Sequence, residues 1–331
     1  MASPISQLYQ PLISRDVEAF PSAVRRFRKD HDSIELFQAV ARFAILCYSP
    51  SQHGKHAVIA CLSTYQLRDE LGGRFDDVVS ECGVYAALSR QPWSEPPVTD
   101  PPRVGPGHPF STEEIREAIA SGDRRRGECW LTRGMREPGF DRDFFRAASD
   151  DLGDLGHKLI VANTAWEIAG LLGDEGRYAT LRVAVWEWVS YRDSQPEADP
   201  APEIDSADLL KSLIAGFVAE QGGMVPFHAL VLFEAALLAA ERAGEPALFR
   251  RVSAQLNQTA PPALELAAVA SRSPIEPYPY RLARDYGQLL KAYSLAKRLG
   301  QRFPDIDFEP MLLAARYNLE HGPSFEEWSF A

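Results

Sequence analysis

The sequence predicts an all-α protein, on three observations. Apolar residues recur at helical spacing along most of the chain, and almost no stretch alternates in the manner of a strand. One pattern also returns: a histidine opens an apolar run and a glycine closes it sixteen residues later, at His56 to Gly72, His157 to Gly173 and His228 to Gly244. Sixteen helical residues rise about 24 Å, and glycine suits the left-handed turn that ends a helix. Arg284 to Gly300 keeps the spacing with arginine in the histidine's place, and Leu289, Leu290, Ala292, Leu295, Ala296 and Leu299 fall at helix-facing offsets. After each glycine an aromatic residue (Phe75, Tyr178, Phe249, Phe303) begins another run. The expectation is four degenerate helical hairpins packed as a single bundle or toroid-like domain around a central cavity.

Residues 1–30, with Pro4, Pro11 and Pro21, read as an N-terminal arm, extended before a short helix, and 31–331 as one helical domain. Asp32-Ser33 caps a helix carrying Leu36, Phe37, Val40, Phe43 and Cys47, and Tyr48-Ser49-Pro50 stops it. His53 and His56 then stand at the mouth of the next helix, centred on Val58 to Leu71, and a further helix follows from Phe75 to about Leu88. Segment 91–110 is proline-rich and reads as an irregular connection or a loop over a cavity, ending near His108. Ser111-Thr112-Glu113-Glu114 begins a short helix ending near Gly122, because acidic residues suit a helix N-terminus. An arginine-rich stretch at 123–141 precedes a short helix at 142–152. Helices are then expected at 158–172, 178–192, 206–220, 228–243, 246–258, 282–299 and 308–320. An acidic proline-rich linker occupies 196–202, and the segment around Ser273 to Tyr280 is irregular.

Composition narrows the function. With 45% hydrophobic and 24% charged residues the chain is that of a soluble globular protein. A net charge of −11, with basic residues scattered outside Arg124-Arg125-Arg126 and the 25–29 cluster, lacks the footprint of a nucleic-acid binder. Cys47, Cys61, Cys82 and Cys129 show no CxxC spacing and read as reduced, buried hydrophobes of a cytoplasmic protein. The N-terminus has no signal-peptide pattern, and no uninterrupted apolar run approaches eighteen residues, so no membrane span is expected. Phosphate-binding, dinucleotide and nucleophile-elbow motifs are missing, and no nucleotide cofactor is expected.

The histidines carry the chemistry. The chain has seven, and three share one register of the repeated pattern. If the hairpins stack about a common axis, His56, His157 and His228 meet near one end, and His53 can turn to the same point. Helical bundles build metal sites from such facing side chains, and neutral imidazoles without thiolate suit iron, zinc, copper or nickel. Lys291 lies in an apolar helix, where burial would lower its pKa and make it available for chemistry or carboxylation, or where its stem would carry the charge to the surface. Lys158 and Asp285 are further candidates for the same duty. Trp130, Trp166, Trp186, Tyr65 and Tyr293 either line an aromatic cavity or belong to the core. Two other readings are a metal-free helical-repeat scaffold and a zinc hydrolase with Glu234 as general base.

His53-Gly54-Lys55-His56 before an apolar helix, Gly156-His157 before Leu159-Ile160-Val161-Ala162-Asn163, and Gln288-x-x-Lys291 in a late helix resemble the questin oxidase-like family and the helical regions attached to some Rieske proteins. The resemblance spans about residues 30 to 300 as a pattern of spacing. It implies an all-helical oxygenase that consumes O2 and acts on polycyclic aromatic or quinone-like metabolites. In some members a non-haem Fe(II) is held by histidines and a carboxylated lysine. On this pattern His53 and His56 match the first histidine cluster, His157 the Gly-His helix, His228 the third unit and Lys291 the late lysine. The chain departs from it at Gln288, where histidine is expected.

Overall fold

The computed structural model describes residues 3–49, 54–89, 100–103, 110–150, 154–191, 205–259 and 287–321, and among these every regular element is helical. The first is α1 (Pro4–Ser14), which starts on the Ser3 cap with Pro4 in its first turn, where the missing N–H costs nothing. It replaces the extended start expected for residues 1–30, while α2 (Phe20–Phe27) stands where a short helix was expected: Leu8, Leu12, Phe20, Val24 and Phe27 are buried, and Tyr9 donates to the carbonyl of Ala39 at 2.7 Å. Three prolines argued for an extended chain, but two of them sit in first turns and the apolar spacing prevails.

α3 (Ser33–Cys47) opens with a reciprocal capping box between Asp32 and Glu35. α4 (Gly54–Gln66), α5 (Arg68–Leu71) and α6 (Phe75–Ser89) follow, then α7 (Thr112–Ser121) on a Ser111 cap and α8 (Arg124–Gly134) on an Asp123 cap. α8 forms where the sequence showed only an arginine-rich stretch. After α9 (Phe140–Ser149) come α10 (His157–Leu172), α11 (Asp174–Ser190), α12 (Ser206–Ala219), α13 (Met224–Ala243), α14 (Pro246–Thr259), α15 (Gln288–Arg302) and α16 (Glu309–His321). The sixteen-residue pattern is imperfect at its ends. α4 stops at Gln66 and a separate turn of helix leads to Gly72, while Gly300 lies inside α15 rather than at its cap.

Four helices position the site. α4 packs on α10, α10 on α13, α13 on α15 and α15 back on α4. Their later turns are joined by a polar belt. Arg242 donates to Asn163 at 2.6 Å and to Glu167 at 2.8 Å, Gln66 donates to Glu167 at 2.9 Å, and Ser294 donates to Gln66 at 2.6 Å. Asn163 also donates to the carbonyl of Ala235 at 2.9 Å, tying α10 to α13. This belt fixes how far each helix is advanced along its neighbours, because buried polar groups tolerate no slip that leaves them unpaired.

Of the aromatic residues weighed as cavity lining or core, Trp130 is buried in the core and Tyr65, Trp166, Trp186 and Tyr293 pack half-buried against it. Trp130 and Trp188 are fully buried, Phe144 lies 4.8 Å from Trp188 between ring centres, and Trp166 packs on Phe144 and Phe145 at 5.3 Å. α13 has the length and apolar composition of a membrane span, which the search for uninterrupted apolar runs overlooked. It packs against α9, α10, α12, α14 and α15, and more than half of its most apolar stretch is buried.

Gly222 turns the chain from α12 into α13 with φ of +82°, and a Cβ there would stand 2.4 Å from the backbone oxygen of Ala314. Gly222→Ala is expected to lower stability in urea unfolding by at least about 2 kcal/mol, combining left-handed strain with a backbone clash. Gly73→Ala, where nothing lies within 4 Å, is expected to stay within about 0.5 kcal/mol.

Candidate metal centre

Each of three helices brings one histidine to the site from its first turns. His56 is the third residue of α4, His157 the first of α10 and His228 the fifth of α13; all are buried. One ligand-capable nitrogen from each lies within 4.8 Å of those of the other two, and the ring centres stand 4.5, 5.1 and 6.0 Å apart. His157 is delivered by Gly156, whose φ is +80° and whose Cβ would stand 2.6 Å from Leu232 of α13. Only glycine allows α10 to begin so close to its neighbour.

The hydrogen bonding fixes what these rings offer. Nδ1 of His228 lies 2.7 Å from the carbonyl oxygen of Met224, which can only accept, so this nitrogen carries the proton. In the neutral ring Nε2 then presents a lone pair, 3.0 Å from Nε2 of His157. Two lone pairs cannot face each other at that distance, so a proton or a metal ion must lie between them. With metal–nitrogen bonds of about 2.0–2.1 Å, a tetrahedral ion separates its ligand nitrogens by roughly 3.3 Å. The triad spans that separation, and these three histidines form a site that can bind a metal ion.

Lys291 of α15 joins them. Its side chain is 6% exposed and Nζ lies 3.1 Å from Nδ1 of His56, so it does not carry its charge to the surface. Burial, aided by Lys291, then His157, His228 and Lys55, holds the pKa of His56 well below the usual histidine value and keeps it in the neutral form a metal requires.

The triad, Lys291 and Gln288 share a cavity of about 20 Å³ with Ile59, Ile160, Met224, Phe227 and Val231. That volume admits one water-sized ligand. Gln288, where the sequence pattern called for histidine, reaches Met224 Sδ with its amide nitrogen. Tyr65, Trp130, Trp166, Trp186 and Tyr293 are not among the lining residues.

Of the other sequence candidates, Lys158 is buried beside His157 but does not line the cavity, while His53, His108, Arg284 and Asp285 lie outside the described residues. Glu234, the candidate base of a zinc hydrolase, is also absent from the lining. It pairs with Arg298 at 2.6 Å, and burial pushes its carboxyl up to about 7 against the pull of that guanidinium. Sequence reasoning missed Met224, which acts through its backbone carbonyl and so leaves no side-chain signature, and the aliphatic wall, which looks like any core.

Comparison with protein-family models, with curated proteins and with solved structures finds no match.

Co(II) titration is expected to show one ion per chain, with affinity reduced at least about 100-fold in His157→Ala and His228→Ala; equal affinity in wild type and variants would contradict the assignment. The depressed pKa of His56 also has a consequence for stability. Below about pH 6.5 a histidine in the unfolded chain takes up a proton that His56 in the folded protein refuses. The unfolded state therefore binds more protons, and metal-free protein loses stability as pH falls, by up to about 1.4 kcal/mol per unit from this group. Urea unfolding at pH 7.5 and 5.5 is expected to show that loss in the wild type and a smaller one in His56→Gln.

Proposed function

We propose that this chain is a mononuclear non-haem Fe(II) oxygenase, with the iron held by His56, His157 and His228 and with an aromatic or quinone-like metabolite and O2 as substrates. The observation that supports it best is the pairing of three buried imidazoles with a mostly apolar wall and no carboxylate among the described lining residues. Metal-assisted hydrolysis wants a base at the ion, and Glu234 is held elsewhere by Arg298. Bound there, Fe(II) would supply the electrons and the open positions that dioxygen chemistry needs.

The residues around the triad have separable roles in this reading. Ile59, Ile160, Phe227 and Val231 exclude bulk water from the chamber. The carbonyl of Met224 holds His228 in the tautomer that offers Nε2. On the sequence resemblance, Lys291 would add CO2 at Nζ with loss of a proton, and the carbamate would join the histidines in holding the iron; the 3.1 Å separation of Nζ from His56 Nδ1 is compatible with that role. His53, three residues before His56 in sequence, is retained as a further ligand candidate on the same resemblance. The substrate class also rests on that resemblance, since a 20 Å³ chamber accommodates a dioxygen-sized ligand and not an aromatic ring. Oxygen insertion or ring cleavage are the reaction classes that follow.

Anaerobic loading with Fe(II), then exposure to O2 with a panel of phenols and quinols, tests the proposal. Substrate-dependent O2 uptake is expected, abolished in the His157→Ala/His228→Ala double variant and reduced at least about tenfold in Lys291→Met, with Glu234→Gln near wild type. Tight zinc with ester or amide hydrolysis and no O2 uptake would overturn it.

A further inference from the structure

α11 contributes no residue to the cavity, yet two consecutive residues on it hold the neighbours of two histidines. Glu187 is fully buried and accepts a hydrogen bond from Lys55 Nζ at 3.1 Å; Lys55, itself 6% exposed, immediately precedes His56. The other carboxylate oxygen accepts from the hydroxyl of Tyr48, at the end of α3. Glu187 thereby grips both flanks of the α3–α4 connection. Gly54 confirms how tightly that connection closes, since a Cβ there would stand 3.1 Å from the carbonyl oxygen of Cys47. Tyr191, one turn further along α11, faces Lys55 with its ring 4.6 Å below Nζ.

The next residue acts on the second histidine. Trp188 is fully buried and its indole N–H donates at 3.1 Å to the carbonyl of Lys158, which immediately follows His157. That carbonyl lies in the first turn of α10, so the bond fixes the height at which the helix starts. Neither contact is what stability alone would select. A buried ion pair roughly breaks even against apolar residues of the same size, and an indole N–H could be replaced by a phenyl ring. Both contacts instead set positions that metal ligands require to within a fraction of an ångström.

We infer that Glu187 and Trp188 form a brace on α11 that sets the spacing between His56 and His157, and that both are positioning residues of the metal centre. This rests on the metal-site reading above. It makes α11 part of the centre although no atom of it touches the cavity.

The test separates positioning from stability. Trp188→Phe keeps the aromatic packing and removes the N–H. Lys55→Met/Glu187→Leu replaces the buried pair with apolar residues. Val252→Ala, in the buried part of α14 away from the site, is the control for stability loss. Thermal unfolding, Co(II) affinity and the visible Co(II) spectrum are measured on each. Both brace variants are expected to bind Co(II) about 10- to 100-fold more weakly with an altered spectrum, beyond anything seen in a control of equal or lower melting temperature. Wild-type affinity and spectrum in both would overturn the brace. If the wild type itself binds no Co(II), the metal-site reading fails, and the brace is decided by the imidazole nitrogen resonances of His56 and His157. These must move in the brace variants and not in Val252→Ala, and unchanged resonances would overturn it.

Discussion

Nε2 of His157 and Nε2 of His228 stand 3.0 Å apart, so either a proton or a metal ion must lie between them, and the architecture is arranged to hold them at that distance. Each ring is committed before it arrives. His228 is locked by the Met224 carbonyl within its own helix, and His157 starts α10 at a point that Gly156 alone allows against Leu232. The contact closes either as a hydrogen bond, with His157 donating from Nε2, or through a shared ion. Burial, the Lys291 contact on His56 and the packing of four helices hold the rings in place.

Electrostatics sharpen the point. α4, α10, α13 and α15 all begin at the site, so four positive helix ends converge on it together with Lys291. Such a field opposes protonation of His56, whose neutral form suits a metal, but it also opposes the metal's own charge. An anion at the ion relieves that conflict. A carbamate on Lys291 is an anion, and under the proposed function the field then favours the loaded state over an empty one. At the other end of the same helices the Gln66, Asn163, Glu167 and Arg242 belt holds the relative advance of the helices, so the two ends divide the labour between chemistry and register.

Much of this was legible in the sequence because helical periodicity and a rare residue type coincided. Histidine at one register of three apolar runs identified His56, His157 and His228, and lysine within an apolar helix identified Lys291. What escaped had physical reasons. The α1 helix hid behind prolines, one of them in a first turn that tolerates it, and α8 hid behind an arginine run that an Asp123 cap makes viable. For Trp130, Trp166, Trp186, Tyr65 and Tyr293 both cavity lining and core stayed open, since sequence does not distinguish a ring that lines a void from one that fills it; they pack in or against the core. Glu187 and the Met224 carbonyl were invisible for a further reason. One lies 132 positions from the lysine it holds, and the other acts through an atom every residue possesses.

The central claim is that one metal ion sits among His56, His157 and His228. Anomalous diffraction from a crystal of the Fe(II)-loaded protein, collected above and below the iron edge, tests it most directly. A single edge-dependent peak about 2.1 Å from one nitrogen of each ring is the predicted result. A peak elsewhere on the chain, or His157 and His228 sharing a proton with no edge-dependent density between them in protein loaded to one equivalent, would contradict it.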